Sequence, residues 1–194
     1  MKQLLLVAAF LSLSSLANAQ LRLGEPGYGG NGCPAGSANV ILSPDQTELS
    51  ILFDSFMVEA SGRTTVDRKS CNLAIPVHVP QGYSVSIINV DYRGFNSLPR
   101  GARSSLTAEY FFAGGRGPRT VRNFVGELNS DYLVNDRLQA TALVWSRCGE
   151  SVTLRVNASM MVQTNNRGEQ ALASVDSADV STAMLYKFQW KRCN

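Results

Sequence analysis

The residues able to do chemistry are few and unevenly spread. His78 is the one histidine in 194 residues, so imidazole catalysis has a single place to sit. It falls on the polar side of an alternating run between Pro76 and Pro80, and no G-x-S-x-G nucleophile turn accompanies it. A solvated histidine on an edge strand is the expectation. The carboxylates Glu48, Asp54, Glu59, Asp91, Glu109 and Glu127 could supply an acid and base for glycan cleavage, but no spacing selects two of them. Calcium-type ligands occur at Asn129–Asp131 and Asp176–Asp179 without the D-x-[DN]-x-[DN]-G loop, so no metal site and no cofactor is expected.

The arginines are the stronger signal. Arg93, Arg100, Arg103, Arg116, Arg119 and Arg122 fall within 30 residues that hold one acid, Glu109. Guanidinium forks suit carboxylate, sulfate or phosphate oxygens. With Tyr92, Phe95 and Tyr110 interleaved, the segment suggests donors beside an aromatic platform. Tyr92, Arg93, Arg100, Arg103, Tyr110 and Arg116 are therefore the candidate binding residues, and a polysaccharide with anionic character is the candidate partner. Nucleic acid is not expected, because the formal net charge is only +3.

Four cysteines, Cys33, Cys71, Cys148 and Cys193, form no CxxC pair, so a redox motif or zinc knuckle is not expected. The preferred pairing is Cys33 with Cys71 and Cys148 with Cys193, among three connectivities. The latter two share a setting, Trp145-Ser-Arg-Cys148 and Trp190-Lys-Arg-Cys193, each just past a strand-like run. Two strands lying side by side would bring those ends together.

Export sets the compartment. Lys2 and the apolar run Leu4–Leu16 precede Ala17-Asn18-Ala19, the small-x-small pattern cut before Gln20. The 13-residue run is shorter than the roughly 20 needed to span a bilayer. Cleavage removes Lys2 and leaves 17 basic against 15 acidic residues, a net charge of +2. The expectation is residues 1–19 as signal peptide, 20–32 as a flexible glycine-rich lead-in, and 33–194 as one domain. The protein would be secreted, or periplasmic in a diderm bacterium, with no membrane span.

The elements that must position these residues are strands. Leu73, Ile75, Val77 and Val79 alternate with polar positions, as do Val152 to Met160 and Met184 to Trp190. Weaker strand signals cover 38–42, 47–58, 83–92, 106–113, 119–125 and 132–145. The segment 168–178 reads as either helix or strand. The fold class is all-β, a disulfide-stabilised antiparallel β-sandwich of about eight to ten strands. Trp145, Trp190, Phe53, Phe111, Phe124 and Phe188 are candidate core members. Asn157-Ala158-Ser159 is a glycosylation sequon on the outward side of its strand.

The order of several motifs resembles a known family. Gly32-Cys33-Pro34-Ala35-Gly36-Ser37 is followed by Leu42-Ser43-Pro44-Asp45, Phe53-Asp54-Ser55-Phe56 and Arg68-Lys69-Ser70-Cys71. Then come Pro80-Gln81-Gly82-Tyr83, Val90-Asp91-Tyr92-Arg93-Gly94, Tyr110-Phe111-Phe112 and Asp131–Asp136, before the two tryptophan–cysteine motifs. This series resembles a secreted domain-of-unknown-function family, number 4360, of small four-cysteine proteins from fungi, plants and some bacteria. The resemblance implies an all-β secreted domain and carries over no catalytic residue. The arginine-rich stretch at 93–122 departs from what it implies. A non-enzymatic binding or structural module at an extracellular surface is the expected function. The alternatives are a carboxylate-dependent glycan-active enzyme and a protein-interaction component of an envelope or wall.

Overall fold

The computed structural model describes residues 21–137, 143–175 and 184–193. The signal segment with its Ala19/Gln20 junction and the Asp176–Asp179 candidate lie outside these residues. Among the described residues thirteen strands follow one another: β1 Arg22–Leu23, β2 Gly27–Gly29, β3 Ala38–Leu42, β4 Glu48–Phe53, β5 Met57–Ala60, β6 Val66–His78 and β7 Tyr83–Leu98 come first. Then follow β8 Arg103–Phe112, β9 Arg119–Val125, β10 Leu128–Arg137, β11 Val152–Gln163, β12 Ala171–Ser174 and β13 Met184–Arg192. No helix occurs among the described residues, so none there is long and apolar enough to cross a membrane.

All the pairings are antiparallel and they build two sheets. The six-stranded sheet runs β1–β6–β11–β8–β9, with β2 also on β6. The seven-stranded sheet centres on the 16-residue β7, which takes β13 and β12 along one edge and β10 along the other. Period-two alternation explains the assembly: Leu73, Ile75 and Val77 of β6 and Leu154, Val156 and Met160 of β11 are fully buried, while their neighbours face out. The expected β-sandwich is what forms, with more strands than expected because four short ones were not separately legible.

The glycine-rich segment expected as a flexible lead-in is instead paired, Arg22 with His78 and Gly27 to Gly29 with Ala74 to Asn72. Glycine suits an edge pressed this closely: a Cβ on Gly32 would meet the Phe56 ring at 2.6 Å. Gly94 plays the same role inside, where a Cβ would fall 2.6 Å from the Tyr132 ring that covers it.

Phe53 and Phe188 are buried as expected, and Trp190 and Phe124 pack partly against the core. Trp145 and Phe111 are the exceptions, each half-buried at outward positions. Three tyrosines fill the centre instead: Tyr92 of β7 and Tyr186 of β13 from one sheet, Tyr110 of β8 from the other. The Tyr110 and Tyr186 rings meet edge to face at 5.6 Å.

Both expected disulfides form, Cys33–Cys71 and Cys148–Cys193. The route to the second differs from the expected side-by-side strands. Trp145 bridges Ser86 on one edge of β7, while β13 pairs with the other edge at Trp190 and Val85. The two cysteine-bearing segments thus meet around the end of a shared neighbour.

Candidate functional site

The six candidate binding residues do not converge. Tyr92 and Tyr110 are closed to any ligand, with 0% and 2% of their surface exposed. Burial pushes both hydroxyls well above their ordinary ionisation range. Alternation is the cause, since Tyr92 shares the inward side of β7 with Val90 and Tyr110 that of β8 with Leu106 and Ala108. Arg93 faces out from the seven-stranded sheet, opposite Leu133. Arg103 faces out from the six-stranded sheet, beside Arg100 on a shallow hollow they share with Asn165, Arg167 and Glu169. Arg116 lies exposed in the β8–β9 loop, at the far end of β8.

A different set does converge. On the outer face of the six-stranded sheet, Arg103 is joined by Arg22 of β1, Arg68 of β6, Arg119 of β9 and Arg155 of β11. All five are exposed, and none makes an ion pair within 4.0 Å among the described residues. Register fixes their layout. Arg155 stands in the row of Ala74 and Phe111, Arg119 opposite Glu109, Arg68 opposite Met161, and Arg103 opposite Gln163.

Between them lie the small polar residues Ser70, Asn72, Asn157, Ser159, Ser105 and Thr107, with the apolar Met161 and Val121 among them. With strands about 4.8 Å apart and residues about 3.4 Å along them, this face measures roughly 14 by 27 Å from β6 to β9 and from Arg155 to Arg103. Glu109 is the one carboxylate at an outward strand position of this face among the described residues, half-buried opposite Arg119, and Glu169 borders the face beside Arg103. The face is therefore an open, electropositive sheet surface with hydroxyl and amide donors near its centre. The sequon asparagine, Asn157, faces outward as expected and sits among those donors.

The missed arginines, Arg22, Arg68 and Arg155, carry a legible signal in part. Each stands at the polar position of its strand, but only strand order brings them together.

The opposite face is mixed in charge. Lys187 pairs with Glu48 at 3.3 Å, and Asp91 accepts hydrogen bonds from Asn89 and Asn135. At its end Lys191 lies 4.4 Å over the Trp145 ring. The carboxylate candidates are dispersed across both sheets and the loops, and none forms a facing pair in a cleft among the described residues. No group of three metal-ligating side chains occurs among those residues either. His78 is exposed, 3.0 Å from the Ser151 hydroxyl through Nδ1, with Arg22 rather than an acid across the strand. Among the described residues no carboxylate hydrogen-bonds its ring, as the group that orients a catalytic base would.

The sequence profile of a domain of unknown function, DUF4360, matches residues 19–193. The chain belongs to the DUF4360 family. The match starts at the residue expected to precede signal cleavage and runs to the last cysteine. An uncharacterized secreted protein of Arthroderma benhamiae is 30% identical to this DUF4360 chain over 169 residues, 86% of the chain and 69% of the relative. Among solved structures, a family 11 carbohydrate-binding module from Clostridium thermocellum, in complex with a β-1,3-1,4-mixed-linked tetrasaccharide, covers 90% of this chain and 91% of its own. Identity there is 10% and the TM-score 0.23, too low to lend support to a shared ligand. Two closed disulfides and no free cysteine among the described residues fit folding in an oxidising compartment.

Proposed function

We propose that this DUF4360 protein is a secreted, non-enzymatic module that holds an anionic polysaccharide on the outer face of its six-stranded sheet. The observation that carries the reading is the set of four exposed arginines, Arg68, Arg103, Arg119 and Arg155, that surround a hydroxyl- and amide-bearing floor and make no ion pair among the described residues. An open sheet face that spans four strands suits an extended polymer better than a small molecule, which favours a concave pocket. Guanidinium forks would take uronate or sulfate oxygens two at a time, and the floor would take sugar hydroxyls. Nothing in such a face activates a nucleophile or water.

The test uses mature protein from Gln20 onward, made without N-glycosylation because a glycan on Asn157 would cover the floor. It is incubated with polygalacturonate, a sulfated galactan and an uncharged glucan at low and high salt, and released reducing sugar is measured in the same tubes. The expected result is retention on both anionic polymers, weakening steeply as salt shortens the Debye length from about 30 Å at 0.01 M to about 10 Å at 0.1 M. No sugar is released. Turnover of any polymer, or binding indifferent to both charge and salt, overturns the reading.

A further inference from the structure

The disulfide end of the sandwich holds a second site that the arginine face does not use. There Tyr83, the first residue of β7, and Trp190, the last inward-facing residue of β13, stop short of full burial and meet ring to ring at 6.4 Å, nearly perpendicular. They form one corner of a hollow of about 210 Å³, completed by Asp45, Gln46 and Pro80. That is room for about seven waters at roughly 30 Å³ each. Its walls are firmly held. The Trp190 indole donates to the Gln46 carbonyl at 3.2 Å, and the Gln46 side-chain oxygen accepts the Leu21 amide at 2.7 Å. Gln46 itself is the one non-glycine residue with positive φ among those described, at 60°, a backbone region that a side chain adopts at a cost.

Asp45 supplies the polar wall. Its Oδ1 accepts the Ser43 hydroxyl at 2.6 Å and the Thr47 amide at 3.3 Å, and its Oδ2 accepts the Thr47 hydroxyl at 2.8 Å. A carboxylate has about four lone-pair sites, so one on Oδ2 stays open. The Ser43 and Thr47 donors also hold the carboxyl below its ordinary ionisation range. The hollow thus offers aromatic surface, a fixed ionised acceptor and no cation.

We propose that this hollow binds one uncharged sugar ring, its C–H face against Trp190 and Tyr83 and a hydroxyl donating to Asp45 Oδ2. The arrangement recognises a polyol with an apolar face and disfavours a uronate or sulfate, which would meet Asp45. It stands whether or not the arginine face binds an anionic polymer.

The chain has two tryptophans, so Trp145→Phe leaves Trp190 as the sole indole reporter. In that background, emission is followed while glucose, mannose, N-acetylglucosamine and their linear tetramers are added. The expected result is a saturable change with at least one uncharged tetramer, weakened about tenfold or more by Asp45→Ala or by Tyr83→Ala. The same titration in an Arg68→Ser, Arg155→Ser background should be unchanged. Asp45 lies in an exposed turn, so its variant keeps the test open if Tyr83→Ala fails to fold. No response to any of the six sugars, or a response that Asp45→Ala leaves intact, overturns the proposal.

Discussion

Above about pH 11 the protein is expected to unfold in a single cooperative step, with tyrosine ionisation and loss of β-structure occurring together. Tyr92, Tyr110 and Tyr186 are at most 2% exposed. Desolvation raises all three hydroxyls above the ordinary value of 10.0, and each raises another or is raised by Asp136. In the unfolded chain they give up their protons near pH 10. Above that pH the native state holds more protons than the unfolded state, so stability falls as pH rises and is fully present below it. Each group contributes about 1.4 kcal/mol per pH unit, and three together about 4 kcal/mol. A domain stable by about 5–15 kcal/mol loses that margin within a few pH units. Ultraviolet absorbance and circular dichroism recorded on one alkaline titration check the coincidence. Ionisation of these tyrosines with the sheet signal intact would contradict it. The Tyr92 hydroxyl has no hydrogen-bond partner among the described residues, so Tyr92→Phe should cost little at neutral pH and move the alkaline midpoint upward.

Removing the Cys33–Cys71 disulfide as the Cys33→Ala, Cys71→Ala pair is expected to be the most damaging pairwise change. The bridge closes a separation of 38 residues, and constraint of the unfolded chain over such a loop stabilises by about 4 kcal/mol. Cys148–Cys193 closes a comparable separation of 45. The first pair differs in lying inside the core, both cysteines at most 1% exposed, so alanines there also leave unfilled space. Cys148 is exposed. At about 2–4 °C per kcal/mol for a chain this size, the first double variant should melt roughly 8–16 °C lower, and further below wild type than the second. Equal melting temperatures for the two variants would show that burial of the first pair adds nothing.

Much of this fold was legible because alternation acts strand by strand. The spans of β3 and β9 follow directly from their residues, and β6, β11 and β13 carry clean apolar faces. Strands β1 and β2 were not legible, since their glycines carry no side-chain pattern and gain order only by lying on β6. The same local rule, applied to Tyr92 and Tyr110, places them inward beside Val90 and Leu106, whereas their nearness to arginines in sequence had pointed to a surface role. Strand order was the missing information. Sequence neighbours Arg93 and Arg103 end on opposite faces, while Arg68, Arg103, Arg119 and Arg155 come together from four strands through pairings of β6, β11, β8 and β9. Such long-range pairing leaves no trace in spacing. The tryptophans show the limit from the other side: their matched cysteine motifs correctly pointed to one disulfide, but the neighbour that unites them is β7.

Polysaccharide binding by the electropositive face is tested most directly by erasing that face and leaving the rest of the molecule alone. Arg68→Ser, Arg103→Ser, Arg119→Ser and Arg155→Ser replace exposed side chains on one face, where substitutions away from buried contacts are usually within about 0.5 kcal/mol of neutral. Binding of this variant to polygalacturonate is measured at low salt beside wild type and an Arg93→Ser, Lys187→Ser control on the opposite face. The four-arginine variant is expected to lose binding by about a hundredfold or more, at about 1 kcal/mol per lost contact, while the control binds like wild type. Undiminished binding by the four-arginine variant, or equal loss in the control, would contradict binding by that face.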